Sequence, residues 1–130
     1  MRHVHFSRWI SPALALLVAA AVALAGCQPA APTVVRVYTS FPMRGPKIGG
    51  SIVKGIQLAF DQIESRVGNT EISLVIRDDG DENGQWQAEA EEANARQAIS
   101  DEAAIAYLGP MNSGAAQISI PLTNRAGLAQ

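Results

Sequence analysis

The sequence predicts an α/β domain: a parallel sheet with helices on both faces. Three features carry this expectation across residues 34–130. Short apolar, β-branched strands recur; amphipathic helical segments lie between them; and turn-rich polar loops follow each strand. The resulting order, β-α-β-α-β-α, is that of a doubly wound sheet. Ligands bind such sheets outside the carboxyl ends of the strands. The loops at 40–50, 78–85 and 109–114 therefore form the candidate site.

The first strand is Val34-Val35-Arg36-Val37-Tyr38-Thr39, which begins just after Pro32. The loop after it, residues 40–50 (SFPMRGPKIGG), holds two Pro and three Gly. Ser51 is the expected N-cap of a helix over 51–66, with Ile52, Ile56, Ala59, Phe60, Ile63 and Val67 at helical spacing. Gly68-Asn69 is the expected C-cap. The second strand, residues 71–77 (EISLVIR), carries apolar residues on both faces, as a strand covered on two sides should.

A polar loop, DDGDENG, leads to a helix over 86–100 with acids early and Arg96 late. The third strand is residues 104–108 (AIAYL). A helix over 113–125 follows, with Ala115, Ile118, Leu122 and Ala126 on one stripe and Pro121 inside it. Gly127 closes that helix, and Leu128 to Gln130 open a fourth strand.

The N-terminus reads differently. Arg2, His3, His5 and Arg8 precede an apolar run from Pro12 to Gly26 that contains no acid. This run falls short of the ~20 residues of a spanning helix. It has the pattern of an export signal, residues 1–26. Leu24-Ala25-Gly26-Cys27 resembles the lipobox of bacterial lipoproteins, with Cys27 as the lipidated residue. Cys27 is the single cysteine of the chain, so no intramolecular disulfide competes for it. Residues 27–33, the lipidated Cys and the uncharged QPAAPT stretch, read as a tether to the membrane.

Residues 27–130 hold all twelve acids and eight of the ten bases, a formal charge of −4. Without a basic patch and with few aromatics, nucleic acid is not the expected partner. The two His residues lie in the leader and the one Cys is assigned to lipid. Ser-His-Asp and Cys-His catalysis, and ordinary zinc ligation, are therefore not expected of the domain.

Four motifs remain. GPKIGGS lacks the Lys before Ser51 that a phosphate loop requires, and reads as a tight turn. Asp79, Asp81, Asn83 and Gly84 match the first half of a Ca²⁺ loop, but Ala90 stands where the bidentate Glu should be. A solvated acidic turn is the default, and no metal or cofactor is assigned. Asp78 and Asp79, adjacent on an extended segment, point to opposite sides and are poorly placed as an enzymatic acid pair. Asn112, Ser113 and Gly114 end a strand and begin a helix. Their N–H groups and the Ser113 hydroxyl suit a carboxylate, though a plain Ser N-cap explains them as well.

PMRGP (42–46), Gly55 with Leu58-Ala59, the Asp78-Asp79 pair, Ala93-Asn94-Ala95-Arg96 and YLGPMNSGAAQISIPLTNRAGLAQ from Tyr107 onward resemble the periplasmic substrate-binding proteins of branched-chain amino-acid ABC transporters. This is the type I, Leu/Ile/Val-binding group. The resemblance implies the N-terminal lobe of a two-lobed receptor, with the chain truncated before the fourth strand is complete. It implies an amino-acid ligand, an ABC permease as partner, a lipid anchor and a place on the outer face of the cell envelope. It implies no enzymatic activity. Ser113 resembles the family serine that takes the ligand α-carboxylate, flanked by Asn112 and Gly114. The loop from Pro42 to Gly50 resembles the one over the ligand side chain, but is shorter and lacks the aromatic residue often found there. The family chain continues into an SP-x-x-T loop and a second lobe, and one lobe alone should bind weakly. A ligand-sensing lipoprotein of the same fold, with a signalling partner, is the alternative.

Overall fold

β-branched Val34, Val35, Val37 and Thr39 favour extended backbone, and they form β1 (Thr33–Ser40), the middle of the sheet. The computed structural model describes residues 31–44 and 48–130, so the leader, Cys27 and most of the tether lie outside the described residues. Residues 32–130 form one unit. Its further elements are α1 (Ile48–Gln62), β2 (Arg66–Val67), β3 (Thr70–Arg77), α2 (Ala88–Ser100), β4 (Ala104–Leu108) and α3 (Ser113–Ala126). Among the described residues no helix is long and apolar enough to cross a membrane.

The sheet order is β2-β3-β1-β4. β1 pairs in parallel with both β3 and β4, as the alternation of elements requires. Tyr38 of β1 lies beside Val75 and Tyr107, its register partners on the two sides. With Ala95 and Ala98 of α2 these side chains make the core, and Leu122 of α3 packs against it. On the opposite face Gln57, Phe60 and Asp61 of α1 meet Ile72, Leu74 and Ile76 of β3 around a groove of about 280 Å³. Helices thus cover both faces, the α/β architecture expected. The Ala at positions 95 and 98 has a physical role: without long side chains α2 lies close enough to the sheet to bury both tyrosines.

Three helix boundaries differ from the sequence expectation by two residues or more. α1 starts earlier, so Ser51 is inside the helix and not its N-cap. The two glycines at 49 and 50 are helical because α1 runs against the preceding loop. A side chain at Gly49 would collide with the Pro42 carbonyl. The same helix ends earlier, at Gln62. Ser65 N–H reaches the Phe60 carbonyl (2.8 Å) and Glu64 N–H the Asp61 carbonyl (3.0 Å), the 6→1 and 5→2 closure of a Schellman motif. Glu64 (φ 53°) and Ser65 (φ 50°) therefore stand in left-handed conformations usually given to Gly.

The chain then turns through Gly68 (φ 59°), which is a hairpin residue and not a helix cap. β2 pairs antiparallel with β3, adding a short ribbon to the parallel sheet. α2 begins at Ala88, two residues later than expected, because Trp86 bridges back to Gly80 and Gln87 is an extended N-cap. Arg96 spends its charge on Glu92 one turn earlier (2.7 Å), away from the helix terminus.

The buried stripe of α3 is Ala115, Ser119 and Thr123, rotated from the apolar stripe expected. Ser119 and Thr123 are buried with partners: the Ser119 hydroxyl donates to the Ala115 carbonyl four residues back (3.4 Å), and the single Thr123 hydroxyl proton goes to the Gln130 side chain. Gln130 then fills the space beside them: its Oε1 accepts from Thr123 (2.7 Å), and its Nε2 donates to Ser119 Oγ and the Gly109 carbonyl (both 2.9 Å). Gly127 (φ 73°) closes α3, and Ala129 bridges in parallel to Ala106, the start of the strand expected after it.

The left-handed cap of α1 supplies a direct test. Glu64→Gly relieves the Cβ conflict while adding unfolded-state entropy, and should stabilise the chain by about 1 kcal/mol net. A rise in the urea midpoint measures it; a fall would mean that Glu64 makes a compensating contact.

Candidate functional site

The loops that leave the carboxyl ends of β1, β3 and β4 are joined to one another. Asp78, the first residue past β3, is the joint. Its Oδ1 accepts from the N–H groups of Met43 (3.0 Å) and Gly80 (2.9 Å), and its Oδ2 from Arg44 Nε (3.0 Å). Partial burial alone would raise this carboxyl, but those two N–H groups and the Arg44 guanidinium outweigh it and hold it below its ordinary value. The loops also touch directly. A Cβ at Gly80 would sit 2.9 Å from Pro42 Cβ, and one at Gly109 (φ 127°) would sit 2.9 Å from the Ser40 carbonyl oxygen. Glycine is needed at 109 on both counts.

The third loop leads into α3. Asn112, not Ser113, is the N-cap: its Oδ1 accepts from Ala115 N–H (2.8 Å) and its carbonyl from Ala116 N–H (3.1 Å). That leaves the first two N–H groups of the helix, those of Ser113 and Gly114, at its open end. Ser113 is exposed, and the cap does not use its hydroxyl. Gly114 is wedged against the loop after β3, since a Cβ there would fall 2.6 Å from Trp86 Cζ2. Asn112, Ser113 and Gly114 thus sit together on the rim, with Trp86 as the neighbouring wall. Two N–H groups, a hydroxyl and the positive end of a helix can receive an anion.

The acidic loop takes another form than a Ca²⁺ loop. Asp81 Oδ1 accepts from Asn83 and Gln85 N–H (both 2.9 Å), and its Oδ2 from Gln87 Nε2 (3.3 Å), so the turn is closed by its own amides. Asp79 points the other way and is fully buried. No group of three or more acidic, His or Cys side chains placed for a metal ion occurs among the described residues. Asp78 and Asp79 diverge, one to the rim and one to the interior, as their adjacency on extended backbone requires.

Sequence reasoning missed the Asp78 joint, the Trp86–Gly114 contact and the burial of Glu91. The first had a signal in the paired acids after a strand. The other two depend on how α2 meets α3 and β4, which no local pattern encodes.

No protein-family model matches the sequence, and no curated protein matches it. The structure is similar to the crystal structure of a possible leucine/isoleucine/valine-binding protein from Rhodopirellula baltica SH 1, with a TM-score of 0.66 over 78% of this chain at 19% sequence identity. The chain has a periplasmic-binding-protein-like fold. It spans 27% of the length of that neighbour, which is named as a binding protein and not as an enzyme. In this periplasmic-binding-like lobe the joined loops occupy the carboxyl edge of the sheet, where the doubly wound architecture places ligands.

Because Asp78 holds two loops through three donors, Asp78→Ala should destabilise the lobe by about 1.5–3 kcal/mol. Its folded value is depressed, so its contribution is present at neutral pH and is lost as pH falls below about 4. Urea midpoints from pH 3 to 7 measure both effects. Parallel profiles for parent and variant over that range would refute the joint.

Proposed function

We propose that the chain is the binding lobe of an exported solute receptor, anchored by lipid at Cys27, that takes a branched-chain or related amino acid for an ABC permease. The observation that carries this reading is the open end of α3: the N–H groups of Ser113 and Gly114 and the exposed Ser113 hydroxyl, on the carboxyl edge of the sheet and unspent on the cap. An α-carboxylate matches that set in charge and in number of acceptors. The export leader, the lipobox sequence and the neighbour's name support it further. The reading involves no chemistry on the ligand. A second lobe would close over the amino group and side chain, so the rim here supplies the carboxylate half of the recognition.

Amide NMR titration with L-leucine and L-valine tests the site at the millimolar affinity expected of an open lobe. The amides of Ser113 and Gly114 should shift first. Ser113→Ala should weaken binding about tenfold, the loss of one hydrogen bond to a charged group. Unmoved rim amides at saturating amino acid would refute the assignment. Labelled palmitate should enter the chain in a bacterial host and be lost in Cys27→Ser; label retained by the variant would refute the anchor.

A further inference from the structure

Directly beneath the rim lies a buried polar layer that ligand binding does not explain. Asp79, in the loop after β3, and Glu91, in the first turn of α2, are both completely buried. Both oxygens of Asp79 and Oε2 of Glu91 lack a hydrogen-bond partner. Two like charges in that position would be severely penalised, because burial strips both of solvent and no side-chain donor reaches Asp79. Every charged or titratable group that bears on Asp79 is an acid: Glu91 from α2, Asp78 from its own loop and the Tyr107 phenol from β4. Arg77, on the same face of β3, acts on Tyr38 instead.

Asn94 Nδ2 donates to Ser40 Oγ (3.0 Å), and Tyr107 donates to Glu91 Oε1 (3.1 Å). Glu91 is thus an acceptor. Neither bond reaches Asp79.

We propose that the buried Asp79 side chain carries a proton beside Glu91, and that loss of this proton at higher pH loosens the rim loop that presses Trp86 against Gly114. The reaction is a simple ionisation: the Asp79 O–H bond breaks, the proton passes to solvent and a buried carboxylate remains. This reading is independent of what the rim binds. Burial first, then the Glu91 charge and more weakly Asp78, push Asp79 up to about 6, while its own N–H opposes without meeting hydrogen-bond geometry. The proton therefore leaves within the physiological range. Asp79 is coupled to the rim through its backbone, because its carbonyl accepts the Gln87 N–H (2.7 Å) next to Trp86.

The sign follows from linkage. An unfolded Asp ionises near 3.9, so between about 4 and 6 the folded chain binds more protons than the unfolded one and stability falls as pH rises. The acids held below their ordinary values, Asp78 and Asp101, act at lower pH and in the opposite direction.

The experiment uses the full chain in a Trp9→Phe background, so that Trp86 alone emits. Urea midpoints and native emission are followed from pH 4 to 8.5 in this parent, in Asp79→Asn and in Glu91→Gln, which keeps an acceptor for Tyr107. The parent should show a falling midpoint between pH 4 and 6 and an emission inflection near 6. Asp79→Asn should lose the inflection and exceed the parent midpoint at pH 8, while Glu91→Gln should move the inflection to lower pH, because burial still acts on Asp79 there. An unchanged pH profile in the variants overturns the proposal, as does failure of Asp79→Asn to fold, because a neutral side chain at position 79 is what it requires. Stabilisation of the parent at pH 8 by Na⁺ or Ca²⁺ that vanishes in Asp79→Asn also overturns it, since a metal cation would then be the neutralising species.

Discussion

The Asp78 carboxylate joins the loops after β1 and β3 through two backbone N–H groups and one guanidinium. Everything at the carboxyl edge depends on it. Loops at the end of a parallel sheet have no ladder partners, and their N–H groups need acceptors from somewhere. A single ionised carboxylate satisfies two of them and holds Pro42 against Gly80. With that contact made, the chain can return through Trp86 to Gly80 and enter α2 at a defined place. Trp86 in turn braces the turn at Gly114. The loops at that edge are thereby tied to one another.

The same edge shows how charge is divided between neighbours. Asp78 and Asp79 are identical in side chain and adjacent in sequence, yet one is held below its ordinary value and the other above it. Donors and a cation surround the first; the second is buried without a donor, near a second carboxyl. Away from the rim, Asp101 does for the opposite end of the sheet what Asp78 does here, accepting from Arg36 and Tyr38 of β1 (2.9 and 2.8 Å) and from Ala103 N–H (3.0 Å). An acid at each end therefore ties β1 to the elements that flank it.

Much of the fold was legible because it is written locally. Three runs of apolar, β-branched residues became the three parallel strands with ends correct to within a residue, and Gly127 closed its helix in the left-handed conformation. The misread boundaries turn on contacts that periodicity does not report. α1 ends early in its Schellman closure at Glu64 and Ser65, and α2 starts late because Trp86 pairs with Gly80. The α3 stripe was misjudged for another reason: Ser119 and Thr123 are polar by composition but find partners in the Ala115 carbonyl and the Gln130 side chain, so they can face the interior.

Periodicity and strand alternation by themselves determined the α/β class, the parallel order and the edge at which Asn112, Ser113 and Gly114 would stand. These are consequences of local propensity and of the fixed hand of crossover connections, which leave few topologies open. Tertiary structure decided what each rim residue does. It gave the cap to Asn112 and left Ser113 open. It turned Asp78 outward as a joint and sealed Asp79 with Glu91 below it. Those roles depend on which donors and charges other elements bring within reach, and that is settled only when the helices close on the sheet.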